Sequence, residues 1–600
     1  MKAQSLSIGF ALAFGITSVC AQVLPDVIFP SENPYSEEKR VLGKILFWDE
    51  QLSSDNTMSC GTCHISQSGG TDPRIGINPG PDALFGTPDD ISGSPGVINM
   101  NTADTYEILP PFWLEEQVTG RFAPPSIMAM FADQLFWDGR ASGEFVDPQT
   151  GVVLISSNAA LESQAVGPIL SDIEMAHEGR NWQQVIDKLT NARPLALASN
   201  LPADLSAVIN TSAEYSDLFN QAFGDPAITA GRIGMAIATY ERTLVPDQSP
   251  FDLVEMGDSG AMTPAQHAGL EAFQGSRCTT CHDSPQFTKN EFHNIGIRPP
   301  SEDLGRFEVT GNQDDRGRFK TPTLRNAGLR NQFMHNGAHS TMEDVFDFYA
   351  HRNGLDPFPE NLDSEIQKPI IFAPADQANI IDFIENGLTD PRVANATFPF
   401  DRPTLHSELA SDNPAVLPGG VAGSGGIAPG MIAVIPPNIG NADFKVGIEN
   451  ALGGAQAWVA VSSSPPVGGM LPQDELLGPI TLSGAGVGGG FGTMHYPIAD
   501  HAALDGTLRY MQWIVADPAA PGGQSASPAA ELAIFCSKNG LCINACAADI
   551  TGDGLLNFFD VSGFLAAFSS GDLIADFTGD GALNFLDVSA FLSAFGAGCP

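Results

Sequence analysis

Six hundred residues, 43% of them apolar, exceed what one hydrophobic core usually needs and point to roughly three to five domains. A formal charge of -42, from 70 acidic against 28 basic residues, argues against nucleic acid and anionic lipid as partners and leaves room for a basic protein. Beyond the N-terminal segment no stretch reaches the roughly 20 apolar residues that span a bilayer, so the mature chain is expected not to be transmembrane.

Residues 1–21 read as a signal peptide: Lys2 supplies the basic start, Ile8 to Ile16 the apolar stretch, and Val19-Cys20-Ala21 a small-residue cleavage site before Gln22. Thr17, Ser18 and Val19 lack the Leu-then-small run that precedes a lipidated cysteine. Export to the periplasm, the cell surface or the extracellular space is therefore expected. From Gln22 to about Phe400 helical patterns alternate with Gly, Pro and Asp-rich loops, and this body holds two Cys-x-x-Cys-His pentads: Cys60, Cys63 and His64, then Cys278, Cys281 and His282. The spacing lets two thiols form thioethers with the vinyl groups of a haem while the adjacent histidine ligates its iron. With nine Cys and eleven His in the chain, chance predicts only ~0.002 such pentads. A zinc site would need two Cys-x-x-Cys pairs converging on one metal. Two covalent haems c are the expected cofactors.

The segments around the pentads carry further motifs. Leu42-Gly43-Lys44-Ile45-Leu46-Phe47 and Leu52-Ser53 precede the first; Phe136-Trp137-Asp138-Gly139-Arg140-Ala141, Gln164-Ala-Val-Gly-Pro168-Ile169 and Glu174-Met175 follow it. After the second come Phe319-Lys-Thr-Pro-Thr-Leu-Arg-Asn326 and Met334-His335-Asn336-Gly337. In this order, over roughly residues 38 to 390, the set resembles the bacterial dihaem cytochrome c peroxidase family, which includes the MauG-like enzymes. The resemblance implies two mostly helical cytochrome c-like domains, residues 22–255 and 256–400, with haems facing an interface. It implies Glu174 as the distal acid-base group, since splitting peroxide requires moving a proton from one oxygen to the other. Gln164 would position water or peroxide, and Trp137 would relay electrons between the haems, with Arg140 in the same motif as readily structural.

Two departures from the family pattern bear on chemistry. No histidine occurs between His64 and His177, so the first haem is expected to be open and ready for peroxide without reductive activation; His177 stands in a segment of different role. The family's distal methionine of the second haem falls on Tyr349, fourteen residues after His335, which is the MauG-like choice and would lower that haem's potential. Met334, Met342, His339 and His351 are the alternatives, and the helical spacing of Met342, Phe346 and Tyr349 behind a Thr341-x-x-Asp344 cap also suits simple core. The stretch Phe122-Ala123-Pro124-Pro125-Ser126 lacks the asparagine through which relatives hold an inter-haem calcium, so that ion is not expected. An insertion from about Gly69 to Leu114 is expected to shape access to the first haem.

From 401 to about 540 Gly and Pro rise, and between 401 and 530 the basic residues are Arg402, Lys445 and Arg509. Met431 to Ile435, Trp458 to Val461 and Leu508 to Val515 read as strands of a β-sandwich-like domain. Residues 541–600 hold a repeat: Asp549 to Asp560 recurs 27 positions later as Asp576 to Asp587. Oxygen side chains at Asp549, Thr551, Asp553, Asn557 and Asp560, and at Asp576, Thr578, Asp580, Asn584 and Asp587, with Gly554 and Gly581 at position six, match a calcium loop. Val561, Phe564, Leu565 and Phe568, with their copies Val588, Phe591, Leu592 and Phe595, predict helices packed through one apolar face. These units resemble dockerins, which implies a cohesin-like or cell-surface partner; a calcium-stapled cap is the plainer reading. Cys536, Cys542, Cys546 and Cys599 are expected in disulfides of open pairing.

The leading expectation is a dihaem peroxidase that reduces hydrogen peroxide with electrons from a small redox protein. The alternatives are a MauG-like oxidase of a protein or small organic substrate, and a surface-tethered electron-transfer cytochrome.

Overall fold

In the computed structural model residues 23–210, 214–409, 414–538, 548–551, 556–578 and 582–597 are described. The signal segment, with Cys20, and the positions Cys542, Cys546, Asp553, Gly554, Asp580, Gly581 and Cys599 lie outside the described residues.

The helix Glu37–Trp48 starts where Ser36 accepts from the Lys39 amide, and two glutamates in its first turn suit the positive end of the helix dipole. Val41, Leu42, Ile45, Leu46 and Trp48 are buried along it. It crosses the helix Ala230–Glu241 at Gly43, where a Cβ would fall 1.9 Å from the Ala236 carbonyl oxygen. Only glycine permits that approach. Around the crossing Trp182, Leu189, Tyr215, Phe219 and Ile237 complete a first core, to which Val393, Phe400 and Leu405 return from much later in the chain. Lys44 is fully buried and pairs with Asp204 at 3.1 Å and Asp401 at 2.9 Å.

A second core repeats the device. The helix Pro264–Gln274 meets Pro374–Asp382 at Gly269, whose Cβ would stand 2.0 Å from the Asn379 carbonyl oxygen. Phe251, Phe273, Phe287 and Phe383 pack there with ring centroids 5.1 to 6.3 Å apart. Arg325 grips Asp252 through two bonds of 2.9 and 2.8 Å, both side chains fully buried. Between the cores run loops and two-stranded ribbons. In the insertion Gly76–Asn78 pairs with Ile91–Gly93, and Pro95–Ile98 pairs with Glu116–Val118.

Residues after 414 build two antiparallel sheets. One orders Gly430–Ile432, Lys445–Gly453 and Gly486–His495. The other orders Glu475–Thr481, Gln456–Ser462, Leu508–Ala516, Ala530–Ala533 and Ala415–Val416, with Gln524–Ala526 also on Leu508–Ala516. Val446 and Ile448 from the first sheet share a core with Val459, Val461, Met511, Trp513 and Val515 from the second, as the two inner faces of a sandwich do. The predicted run Met431 to Ile435 yields a strand only over Gly430–Ile432. Cys536 is buried there and disulfide-bonded.

The tail helices Phe558–Ser570 and Phe585–Ala597 stack Phe564 on Phe591 at 4.2 Å. Leu565 and Leu592, expected on that face, are instead 55% exposed each. They follow the buried Phe564 and Phe591 directly, and one residue turns the side chain about 100° away from the contact. Among the described residues no helix is long and apolar enough to cross a membrane.

Candidate active site

The short helix Cys60–Cys63 is closed by a capping box between Ser59 and Thr62. Gly61 sits under the Trp48 indole, where a Cβ would come within 2.1 Å of the ring. Both thiols are free, and Cys60, Cys63 and His64 face a cavity of about 610 Å³. His64 Nδ1 donates to the Gly70 carbonyl at 3.0 Å, which leaves Nε2 with its lone pair for a metal. Burial lowers the imidazole's pKa and keeps it neutral. Two free thiols and a neutral imidazole on one cavity wall are the donor set a covalent haem requires.

Gln164, from the helix Ala160–Ala165, together with Pro168, Ser171, Glu174 and Trp137, also lines this cavity. The Ser171 carbonyl accepts from the amides of Glu174, Met175 and Ala176 at 3.2, 2.9 and 2.9 Å, curling the loop that carries Glu174. Burial raises the Glu174 pKa, against a hydrogen bond from Ser171 and the charge of Arg140. A carboxyl so held keeps its proton to higher pH, as an acid-base group requires. The insertion and the strand that follows it brace the loop: Gly96 lies against the Ile173 carbonyl, where a Cβ would fall 1.9 Å away, and Gln117 Nε2 donates to the Asp172 carbonyl at 2.7 Å. Ser94, Pro95 and Gly96 themselves form part of the cavity wall.

A second cavity of about 160 Å³ is lined by Cys278, Cys281, His282, Met334, His335, Met342 and Tyr349. His282 Nδ1 donates to the Phe287 carbonyl at 3.1 Å, and burial pushes its pKa down to about 4. The same donor set thus recurs: two free thiols and a neutral imidazole on one cavity wall. Tyr349 faces the pentad, its hydroxyl pKa raised by burial and by the neighbouring thiols; His339 and His351 do not line this cavity. Trp137 belongs to the walls of both cavities. Its Nε1 donates to the Phe122 carbonyl at 2.7 Å, and its ring meets His335 edge-on at 6.4 Å. His177 lies behind the Glu174 loop, on a separate cavity of about 380 Å³.

Two cavity residues escaped the sequence. Glu241 ends an apolar helix and lines the first cavity. It is 4% exposed, its Oε2 has no hydrogen-bond partner among the described residues, and burial pushes it up to about 8. Lys320 lines both cavities and is pushed down to about 8 by burial. An acid closing a helix and a lysine in a two-residue strand carry no local mark of burial.

In the tail, Asp560 Oδ1 accepts from Thr551 Oγ1 at 2.7 Å and Asp587 Oδ1 from Thr578 Oγ1 at 2.8 Å. The Asn557 and Asn584 amides donate to the other carboxylate oxygens, both at 2.8 Å. Among the described residues no three Asp, Glu, His or Cys side chains converge for a metal; Asp553 and Asp580 are outside them.

Residues 37–260 match the family described as di-haem cytochrome c peroxidase. A cytochrome c551 peroxidase from Pseudomonas aeruginosa is 30% identical over 322 residues, covering 52% of this chain and 71% of that protein. One from Nitrosomonas europaea is 28% identical over 344 residues, covering 57% and 81%. The methylamine utilization protein MauG of Methylophilus methylotrophus is 28% identical over 368 residues, covering 60% and 86%.

The Glu241 carboxyl makes stability depend on pH. Its folded pKa, about 8, lies above the unfolded value, so its contribution is full below the ordinary carboxyl range. It is lost as pH rises toward 8, at up to about 1.4 kcal/mol per pH unit. Glu241→Gln is expected to remove that slope, so that thermal unfolding of the haem-loaded proteins diverges above pH 5 with the variant the more stable. Parallel curves from pH 5 to 9 would show that Glu241 is ionised in the fold.

Proposed function

The chain belongs to the di-haem cytochrome c peroxidase family and is an oxidoreductase of the cytochrome c peroxidase type, and we propose that it reduces hydrogen peroxide at the first pentad with electrons entering through the second. The family implies two haems c. The observation that carries the reading is one cavity walled by Cys60, Cys63 and His64 together with Gln164 and Glu174, sharing Trp137 with its neighbour. Bound there, haem supplies the redox chemistry that takes peroxide, two electrons and two protons to two waters. The protein supplies the rest. Cys60 and Cys63 tether the first group and Cys278 and Cys281 the second, with His64 and His282 as ligands through Nε2. The Gln164 amide orients peroxide. Glu174, as the carboxylate, takes the proton from one peroxide oxygen and returns it to the other. Trp137 sets an indole between the two cavities as an electron relay. A small redox protein is the donor.

A second reading is favoured by Tyr349 in the wall of the second cavity: MauG-like oxidation of a protein or small organic substrate, with Tyr349 as a hard oxygen ligand that stabilises higher oxidation states. The tethered electron carrier is the weaker alternative, because no histidine between His64 and His177 is at hand to close the first haem. The tail is proposed to bind calcium through the ten loop residues named above and to dock a cohesin-like or cell-surface partner. Phe558, Phe559, Phe585 and Leu586, exposed by 76, 68, 78 and 59%, support such a surface. Residues 1–21 are proposed as the signal that exports the protein to the periplasm or beyond.

Glu174→Gln is expected to retain both haems and lower peroxide turnover roughly 10²-fold; an unchanged rate removes Glu174 from the mechanism. In the unsubstituted protein a high-spin ferric resonance that responds to peroxide without prior reduction is expected, whereas two low-spin, inert signals would contradict the open first site.

Tyr349→Phe should alter the spectrum and potential of the second haem alone. No change would return Tyr349 to a packing role.

Calcium chelation should make residues 549–595 protease-sensitive while sparing haem absorbance. Resistance that ignores the chelator would rule calcium out.

A further inference from the structure

The loop that carries Glu174 is gripped from behind as well as from the insertion. Ser54 is the point of attachment: its amide donates to the Met175 carbonyl at 2.8 Å, and its Oγ accepts from the His177 amide at 2.9 Å. The residues on either side of Ala176 are thereby fixed, and Glu174 is adjacent to the first of them.

Two charged struts run to this point, one from the first sheet of the C-terminal region and one from the turn that leads into it. Lys445, at the start of the strand Lys445–Gly453, has a fully buried side chain and meets Asp104 Oδ1 at 2.7 Å. That same oxygen lies 3.7 Å from His177 Nδ1, which shares a hydrogen bond of 2.9 Å with Ser54 Oγ. Asp443, two residues earlier, pairs with Lys188 Nζ at 3.0 Å. Lys188 in turn donates to the Ser53 and Ser54 carbonyls at 2.8 and 3.0 Å. Beside the second strut lies the 380 Å³ cavity lined by His177, Arg180, Lys188 and Asp443, while Ile432 of the sheet packs with Tyr106 and Met175 in the first core. A buried ammonium without its partner is strongly unfavourable, which ties the sheet to the distance that Asp104 dictates.

We propose that Lys445 and Asp443 are positioning residues for Glu174, and that the sheet that begins at Lys445, with the turn leading into it, is a working part of the peroxide site. The proposal rests on the acid-base reading of Glu174. Peroxide chemistry tolerates little displacement, because an error near 1 Å in a reacting group costs up to about 10²-fold in rate.

The test uses the full-length, haem-loaded protein. Lys445→Met is expected to lower peroxide kcat about tenfold with KM and haem content unchanged, and to change the high-spin signal of the first haem but not the spectrum of the second. Lys445→Arg should restore most of the rate. Asp443→Asn breaks the other strut at a more exposed position and should act in the same direction if Lys445→Met fails to fold. In a Glu174→Gln background Lys445→Met should cost nothing further. An equal loss in both backgrounds, or unchanged kcat and first-haem signal in Lys445→Met and Asp443→Asn, overturns the proposal. If Glu174→Gln alone leaves turnover intact while Lys445→Met still shifts the first-haem signal, the catalytic reading of Glu174 fails and the positioning stands.

Discussion

The approach of Gly43 to the Ala236 carbonyl, at which a side chain would come within 1.9 Å, governs the first site. It sets how two helices cross, and both deliver site residues at their ends. Trp48 ends one helix, donates to Tyr240 on the other at 3.1 Å and covers Gly61 between the thiols. Glu241 ends the second helix inside the cavity. A wider crossing would move the pentad and the cavity wall apart together. Gly269 against Asn379 plays the matching part in the second core, so the two pentad-bearing units rest on one packing rule, close helix approach licensed by a missing Cβ.

Buried ion pairs link segments that apolar packing alone would leave loosely registered. Arg242 holds Glu162 at 2.7 Å, Arg325 holds Asp252, Lys44 bridges Asp204 and Asp401, and Lys445 reaches Asp104. Such pairs contribute little net stability after desolvation, but each demands one arrangement, because any other leaves a charge unpaired away from water. In a chain with 28 basic and 70 acidic residues, cations in the interior mark places where two parts of the fold must meet. Lys445 is the clearest: one of three basic residues between 401 and 530, it is buried in an ion pair with Asp104 of the insertion.

The pentads, the motif that carries Glu174 and the tail repeat could be picked out in the sequence because each pattern lies within a few residues. The β-region was legible where apolar residues ran together, as in Leu508–Ala516, and not in Gly486–His495, whose glycines mask the alternation. The second half of the tail's apolar pattern misled at Leu565 and Leu592, since spacing names two adjacent helix faces and only the partner helix selects one. Glu241 and Lys320 were missed for a related reason: a charged residue is read as solvated until the fold shows what surrounds it.

By itself, then, the sequence determined what is set by covalent spacing and short-range geometry: two Cys-x-x-Cys-His pentads, the order of motifs around them, and a duplicated loop and helix. Tertiary structure alone decided which wall of a cavity Glu174, Gln164 and Glu241 occupy, that Trp137 borders two cavities at once, and that Lys445 meets Asp104 across 341 positions of chain. The reason is physical. Bonded chemistry acts between neighbours along the chain, whereas burial, desolvation and ion pairing depend on distances that only close packing of remote segments creates.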